Sequence, residues 1–205
     1  MIDDISLFIV IMFIESICVK NGKTELLDLH QNRMDRTYLY HFGTNNPYRL
    51  DEVVEDVPAN GTYKLRIVYD RLIRKVNHSL YIKPAIGSLQ VVNSTDINYD
   101  FKFSDRSALK ELYDQKNKKD DIIIVKNDLV SDSYYANLVF FDGTDWYTPL
   151  SNLLHGVRRQ HLLSTRQIIA KRIKSSDIFF FESVGLINAM LDIGDLTVDI
   201  ENVFI

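Results

Sequence analysis

The stretch DDIIIVKNDLVSDSYYANLVFFDGTDWYTPLSNLLHGVRRQHLL, residues 120–163, decides the fold. Ile122 to Val125 is a β-branched run and Tyr135 to Phe141 is a second apolar run, so each predicts a buried strand. A turn signal rich in Asn, Asp or Gly follows each run. After Gly156 the apolar spacing becomes helical. The stretch therefore predicts strands followed by a helix whose first turn leaves backbone N–H groups free to bind an anion.

Four short motifs follow one another within this stretch. They are Leu129-Val130-Ser131-Asp132, Asn137-Leu138, Trp146-Tyr147-Thr148-Pro149 and Leu154-His155-Gly156-Val157-Arg158-Arg159. In this order they resemble the C-terminal half of the class IV aminotransferase family, the pyridoxal phosphate (PLP) enzymes of fold type IV. That family includes branched-chain and D-amino-acid aminotransferases and 4-amino-4-deoxychorismate lyase. Several spaced matches in the right order are more specific than any one of them.

The N-terminal part resembles the opening unit of the same family, a strand, a hairpin turn and a helix. The matching residues are Phe13, Glu15, Ser16, Ile17, Asn21-Gly22, His30, Arg33 and Met34. For His30 and Arg33 we favour a structural role over direct catalysis, because histidines on amphipathic helices are usually structural. Cys18 departs from the family, many members of which have an arginine there for the cofactor phosphate. Either another cation, such as Arg158, takes over this role or backbone amides hold the phosphate.

A candidate reactive lysine lies in NYDFKFSDRSALKELY, residues 98–113. The alternation of aromatic and polar residues from Tyr99 to Phe103 predicts a strand with Lys102 on the face opposite the aromatics. Asp105 is placed to cap the helix that follows. The segment resembles the lyase-type "K-x-x-N-R" motif, which implies that Lys102 carries the cofactor and that Arg106 lies beside it. The alternative is a solvated lysine next to a helix cap.

The resemblance also implies how the remaining cofactor groups are held. Asp132 stands where the family has the glutamate that faces the pyridine nitrogen, although its side chain is one methylene shorter; the alternative is a turn-capping aspartate. Gly156, Val157 and Arg158 would donate N–H groups to the phosphate at a helix start. Asn188 and Ala189 match a late loop that reaches the phosphate, although Asn188 also suits a simple strand-to-turn junction.

Composition limits the class of protein. The chain has 205 residues, a net charge of −4 and one cysteine, so we expect no nucleic-acid partner, no disulfide framework and no multi-cysteine metal site. The apolar run from Ile5 to Ile14 follows two aspartates and is too short to span a bilayer. We interpret it as part of a strand running to Val19, and we expect a cytoplasmic protein without a membrane partner.

The resemblance implies an α/β (α+β) fold of two domains, the fold type IV architecture. The small N-terminal α/β domain would span residues 1–71. The larger C-terminal PLP-binding domain, β-barrel-like with flanking helices, would span residues 72–205. Family members of this kind form homodimers, so we expect one here.

Three hypotheses for function follow. The first is a PLP-dependent enzyme acting on an amino substrate, either an aminotransferase or a lyase that eliminates pyruvate from 4-amino-4-deoxychorismate to give 4-aminobenzoate. The spacing of Lys102 and Arg106 and the Asn188-Ala189-Met190 loop favour the lyase-like branch. The second is a non-catalytic dimeric relative that keeps the fold and perhaps PLP, favoured by the departures at Cys18, Asp132 and Arg158. The third is an α/β binding module without PLP.

Overall fold

The computed structural model describes residues 11–54 and 57–205. The predicted N-terminal strand is present from Phe13 to Lys20, and its part from residue 5 to residue 10 lies outside the described residues. The described chain folds into three sheets with four α-helices. This mixed α/β architecture confirms the predicted fold class.

The first sheet is antiparallel and forms one wall of the cavity described below. Its strands are β1 (Phe13–Lys20), β2 (Lys23–Thr24), β3 (Thr62–Tyr69) and β4 (Ile73–Leu80), in the order β2-β1-β3-β4. Asn21 and Gly22 both have positive φ, 48° and 76°, which is the conformation of a two-residue hairpin turn. The predicted hairpin between β1 and β2 is therefore present.

Two helices follow β2 and cover one face of this sheet. They are α1 (Leu27–Phe42) and α2 (Leu50–Val53). Gly43 ends α1 in the left-handed conformation, as its position predicts, and its N–H donates to the Leu39 carbonyl. The helix begins at Leu27, and Leu26 before it has a left-handed backbone conformation, with φ of 54°. Buried side chains between α1 and the sheet form one core cluster, which includes Phe13, Ile17, Met34, Tyr38, Leu65, Ile67 and Tyr69.

The second and third sheets pack against each other around the largest core cluster. The second sheet contains β5 (Leu89–Ser94), β6 (Asp121–Lys126), β7 (Leu129–Val130) and β13 (Val203–Phe204), in the order β13-β5-β6-β7. The third contains β8 (Asn137–Phe141), β9 (Trp146–Pro149), β10 (Ile169–Lys171), β11 (Ser183–Ile187) and β12 (Thr197–Asp199), in the order β10-β9-β8-β11-β12. Helices α3 (Ser107–Tyr113) and α4 (Val157–Ser164) and two 3₁₀ helices, Ser175–Phe180 and Ile200–Asn202, complete the chain.

The predicted domain boundary between residues 71 and 72 stays a prediction. Strand β4 follows that point, yet it pairs with β3 as the fourth strand of the first sheet. The first sheet thus continues to Leu80 because Asp70 and Leu72 form a tight turn, in which the Asp70 N–H donates to the Leu72 carbonyl.

One predicted strand is wrong. Residues 99–103 form a bend with a single antiparallel bridge, between Phe103 and Phe13. The alternation of aromatic and polar residues arises because Phe101 and Phe103 pack on the His41 ring, with centroids 4.5 and 5.8 Å away. The alternation of aromatic and polar residues here therefore reflects side-chain packing and not a hydrogen-bonded strand.

Candidate active site

A cavity of about 550 Å³ lies where the first sheet meets the segments that lead into α3, β8 and α4. Its volume is in the usual range for a site that holds a small ligand. Seven of the eight predicted site residues line it: Lys102, Arg106, Asp132, Gly156, Val157, Asn188 and Ala189. These residues come from four separate parts of the sequence, so the fold brings the predicted set together in one place.

Lys102 is positioned by its backbone. Its carbonyl accepts the Ile14 N–H at 2.9 Å, and the nearby Ser104 N–H donates to the Met12 carbonyl at 2.7 Å, so the segment is anchored on the start of β1. The side chain reaches the cavity, where burial lowers its pKa from 10.5 to about 7, assisted by the nearby charges of Arg33, Arg106 and Arg66 and opposed by Glu15. A large fraction of this amine is therefore neutral near pH 7.

Arg106 lies in an aromatic cage. Its guanidinium carbon is 4.5 Å from the ring centroid of Tyr134, 4.4 Å from that of Tyr135 and 5.8 Å from that of Tyr99. One Nη donates to the Tyr134 carbonyl, while Nε is buried without a partner among the described residues. The cage holds the cation at the edge of the cavity, next to α3.

Asp132 is buried and receives only neutral hydrogen-bond donors. Its Oδ2 accepts the N–H groups of Leu153 and Leu154 at 3.1 and 2.9 Å, and its Oδ1 accepts the Asn137 amide at 2.9 Å. Burial raises the pKa of Asp132 to about 6, although these donors and the more distant Arg159 act in the other direction. Among residues 11–54 and 57–205 this carboxyl has no ionic partner, so a cationic group in the cavity could pair with it.

Asn137 was not among the predicted site residues, although it belongs to the quoted Asn137-Leu138 motif. Its side chain fixes Asp132 and also donates to the Leu154 carbonyl at 2.9 Å. A Cβ atom on Gly156 would overlap the Asn137 Oδ1 atom, which explains why glycine stands at the start of α4. The motif pointed to Asn137 as a matched position, and the structure shows that its amide positions the Asp132 carboxyl.

The first turn of α4 presents backbone donors. In the part of the chain that the structure describes, the N–H groups of Val157, Arg158 and Arg159 have no hydrogen-bond acceptor. The prediction for Gly156 needs correction, because its N–H already donates to the Leu154 carbonyl at 2.8 Å. A free N–H group and the positive end of the helix dipole remain at Val157, where α4 borders the cavity.

The Arg158 side chain is not a substitute cation for the phosphate. Its guanidinium donates to Glu25 Oε2 at 2.7 Å and to Asp192 Oδ2 at 2.9 Å, and the residue does not line the cavity. It joins the turn before α1 to the loop after β11. Only the Arg158 backbone N–H remains compatible with the predicted role.

Cys18 is buried on β1, and burial raises the pKa of its thiol to about 11, with Glu25 adding to the effect. The thiol is therefore uncharged at neutral pH. A cation is nevertheless present at the cavity, because Arg33 lines it from α1. The sequence favoured a structural role for Arg33. The H-x-x-R spacing with His30 was the pattern in the sequence that pointed to this residue.

Glu15, His30 and Arg33 form a buried ionic cluster beneath β1. His30 Nδ1 lies 2.6 Å from Glu15 Oε2, and Arg33 Nε donates to Glu15 Oε1 at 2.8 Å. A second guanidinium nitrogen also bonds Glu15. Despite burial, these partners lower the pKa of Glu15 to about 2, while desolvation lowers the pKa of His30. The cluster fixes the Arg33 guanidinium at the cavity wall.

The loop after β11 forms the remaining edge. The Asn188 side chain accepts the Met190 N–H at 2.8 Å, and the Asn188 and Leu191 backbones bond each other at 3.1 Å. This is the strand-to-turn junction that we considered as an alternative, and it coexists with a place on the cavity wall for Asn188 and Ala189.

The described residues contain neither a cluster of metal ligands nor a membrane-spanning helix. Within residues 11–54 and 57–205, no group of three or more His, Cys, Asp or Glu side chains is arranged to bind a metal ion. Among the same residues, no helix is both long enough and apolar enough to cross a membrane.

Comparisons with known proteins agree on one family. The model of the family described as amino-transferase class IV matches residues 12–197. An uncharacterised protein of Haemophilus influenzae is 33% identical over 181 residues, which cover 86% of this chain and 96% of that protein.

Solved structures resemble the fold. A Haemophilus somnus protein with the provisional name 4-amino-4-deoxychorismate lyase is 28% identical, with a TM-score of 0.85, covering 89% of this chain and 98% of that one. A hypothetical aminotransferase of Mycobacterium tuberculosis in its PLP-bound form gives a TM-score of 0.74 at 17% identity, covering 94% of this chain and 81% of that one. At 17% identity the second likeness shows the fold alone.

Proposed function

The chain belongs to the class IV aminotransferase family and has its fold, and on that premise we propose that it is a PLP-dependent enzyme acting on an amino substrate. The observation that carries the proposal is one cavity lined by a lysine with a lowered pKa, a buried carboxyl without an ionic partner, and the start of a helix. Each of these features suits one part of the cofactor: its aldehyde, its ring nitrogen and its phosphate.

Lys102 is the residue that would attach the cofactor and move protons. An amine attacks a carbonyl carbon only when neutral, and with a pKa of about 7 this amine is largely neutral above that pH. From its place in the cavity, the free Lys102 amine would also act as a general base and acid towards the substrate. Bound PLP would supply an electron sink for the substrate carbanion.

Asp132 and the α4 terminus would hold the cofactor in place. A protonated ring nitrogen would give Asp132 the cationic partner that it lacks, so the carboxyl would ionise when the cofactor binds. The N–H groups of Val157 and Arg158 together with the Arg33 guanidinium would bind the phosphate. All of these groups are fixed before a ligand binds, which lowers the ordering cost of binding.

For the reaction we propose pyruvate elimination of the 4-amino-4-deoxychorismate lyase type, with amino-group transfer as the second candidate. The Haemophilus somnus likeness supports the first, since it combines 28% identity with coverage of 89% of this chain and 98% of that one. Pyruvate release from 4-amino-4-deoxychorismate, compared with transfer to an added 2-oxo acid, separates the two. PLP uptake with neither reaction would favour a non-catalytic relative.

Attachment to Lys102 tests the central assignment. Protein incubated with PLP and reduced with borohydride should carry a single pyridoxyl group, located at Lys102 by peptide mass spectrometry. Lys102→Ala should abolish the labelling, whereas Lys110→Ala, at an exposed site on α3, should not change it. Equal labelling of Lys102→Ala and the wild type would refute the assignment.

We also propose a homodimer, which the family layout suggests. Strand β4 is the edge of the first sheet, and exposed apolar side chains lie along and beside it, namely Leu72, Val76, Leu80 and Ile82. Their burial against a second copy would remove both the unpaired edge and the apolar patch from water. Light scattering that gives the monomer mass at micromolar concentration would contradict this proposal.

A further inference from the structure

A buried cation, Arg159, lies near Asp132 but does not line the cavity. Arg159 belongs to the first turn of α4 and is 5% exposed. Its Nε donates to Thr148 Oγ1 at 3.1 Å, and one Nη donates to the Pro149 carbonyl at 2.9 Å. Both acceptors are neutral, and within residues 11–54 and 57–205 no carboxylate forms an ion pair with this guanidinium. The cation is therefore hydrogen-bonded without a contacting counterion.

This placement is unfavourable for a positive charge in two ways. Burial removes the guanidinium from water and lowers the pKa of Arg159. The first turn of a helix is also its positive end, so the helix dipole opposes a cation there. The Asp132 carboxylate acts in the other direction and raises the pKa of Arg159. The charge on Asp132 thus compensates for an otherwise costly position.

The segment between β9 and α4 holds the two charges apart. Arg159 donates to residues 148 and 149 at the start of this segment. Asp132 accepts the N–H groups of residues 153 and 154, nearer its end. Because each charge is hydrogen-bonded to a different part of the same segment, the segment fixes their separation and keeps the guanidinium off the carboxyl oxygens.

The other charged groups around Asp132 are placed differently from Arg159. Those that line the cavity with it are all cations, namely Arg33, Lys64, Arg66, Lys102 and Arg106. Anionic groups of a bound ligand would offset these charges. Arg159 lies outside the cavity wall, so its effect on Asp132 should persist when the cavity is filled. His155, exposed on the segment before α4, is also influenced by Arg159, which helps to lower its pKa.

We propose that Arg159 is a positioning residue for Asp132, a second buried cation that favours the carboxylate from a distance and leaves its oxygens free for the cofactor ring. The inference rests on the proposed function and deepens it, because it names the group that controls the charge facing the ring nitrogen. A cation in direct contact, as Arg33 is with Glu15, would already have neutralised the carboxylate. Without any such cation, burial would keep the acid protonated over a wider range of pH.

Titration of Asp132 in PLP-free protein tests the proposal without turnover. The protein carries isotope-labelled aspartate carboxyl carbons, and the NMR signal of Asp132 is identified by its absence from Asp132→Asn. In the wild type its midpoint should lie near pH 6, the pKa to which Asp132 is raised. Arg159→Gln should move the midpoint upward by about one pH unit, which is a tenfold weaker acid. Because the signal reports one carboxyl, a change at His155 does not disturb the reading.

Two further variants separate charge from packing. Arg159→Lys keeps the charge and should keep the midpoint close to that of the wild type. Arg172→Gln removes one positive charge from an exposed position after β10, where water screens it, and should leave the midpoint unchanged. An unmoved midpoint in folded Arg159→Gln, or an equal shift in Arg172→Gln, would overturn the proposal and leave Arg159 a purely structural residue. If Arg159→Gln does not fold, Arg159→Met removes the same charge with an apolar side chain and gives the same comparison.

The two proposals fail separately. Labelling at Lys102 together with an unmoved Asp132 midpoint in Arg159→Gln would remove the role of Arg159 and leave the enzyme assignment intact. A midpoint that moves in Arg159→Gln, in protein that takes up no PLP, would retain the influence of Arg159 on Asp132 and remove the cofactor chemistry.

Discussion

Glu15 and Asp132 are both almost completely buried carboxyls near the cavity, yet their pKa values move in opposite directions. The pKa of Glu15 is lowered to about 2, and that of Asp132 is raised to about 6. Desolvation raises both, so the difference comes from the partners. Glu15 is bound to the Arg33 guanidinium and His30, whereas Asp132 receives backbone and amide N–H groups.

This difference favours a structural role for Glu15 and is consistent with the ligand-binding role that we propose for Asp132. In the first sheet, the buried Glu15 carboxylate is paired with the buried Arg33 guanidinium of α1, so its charge is neutralised within the chain. Between β7 and β8, Asp132 is held by three neutral donors, and none of its hydrogen-bond partners among the described residues is a cation. A carboxyl held in this way is suited to bind a positively charged group that arrives from outside.

Removing the charge of Glu15 has the largest expected effect. Glu15→Gln leaves the Arg33 guanidinium buried without a counterion, and such losses cost about 3–5 kcal/mol of the free energy of unfolding. Denaturant titration measures this change. Asp51→Asn, which breaks an exposed ion pair with Arg49, should have a much smaller effect, because water screens this pair. Equal effects of the two substitutions would contradict the role of Glu15.

The pH dependence of stability should separate the two carboxyls. Asp132 has a raised pKa, so its protonated form favours folding, and this contribution is lost as pH rises from about 4 through about 6. The loss is about 3 kcal/mol in PLP-free protein. Glu15 has the opposite sign, because its contribution is present above its ordinary pKa of 4.5 and is lost as pH falls towards 2.

The measurement compares wild type with Asp132→Asn by urea unfolding at several pH values between about 4 and 7. The difference between the two free energies of unfolding should change across this range and become constant above it. Parallel curves would show that Asp132 is not perturbed. Bound PLP should remove the decline, because its ring nitrogen would stabilise the ionised carboxyl.

Gly156→Ala should produce a smaller effect on the same carboxyl. Its Cβ would displace the Asn137 amide, which is one of the three donors to Asp132. We expect a loss of about 1–3 kcal/mol of stability from overpacking, together with a higher pKa for Asp132. Gly87→Ala is the control, because its Cβ would lie at an ordinary 3.8 Å from Asp120. A Gly156→Ala protein as stable as Gly87→Ala would show that Asn137 can move freely.

Strands were predictable from the sequence where polar and apolar residues alternate regularly. The alternating residues from Thr62 to Tyr69 predict a strand, and β3 has these bounds. Alternate side chains are buried along its second half. The residues from Tyr99 to Phe103 show the limit of the same reasoning. Phe101 and Phe103 alternate because both pack on His41 of α1, whereas Tyr99 packs in a separate core cluster. A period in the sequence does not reveal whether the backbone has a strand to pair with.

The candidate site was predictable as a set of positions, since the family motifs fix their order. Lys102 and Asp132 line the same cavity as expected from that resemblance, although their roles stay predictions. What each side chain contacts was not predictable. Arg158 was expected to face a phosphate and is held by Glu25 and Asp192, residues far apart in the sequence. Arg66 carried no motif signal, because its place on the wall depends on pairing with Ser16.

The attachment of the Lys102 segment to β1 has a consequence for how the site is assembled. The segment has no strand ladder of its own, and the hydrogen bonds from Ile14 to the Lys102 carbonyl and from Ser104 to Met12 tie it to the beginning of the described chain. The lowered pKa of Lys102 comes mainly from burial, and the segment that carries the amine is held in place by this contact with β1. A substitution that loosens β1 should therefore make the amine more basic, although the amine itself belongs to another part of the chain.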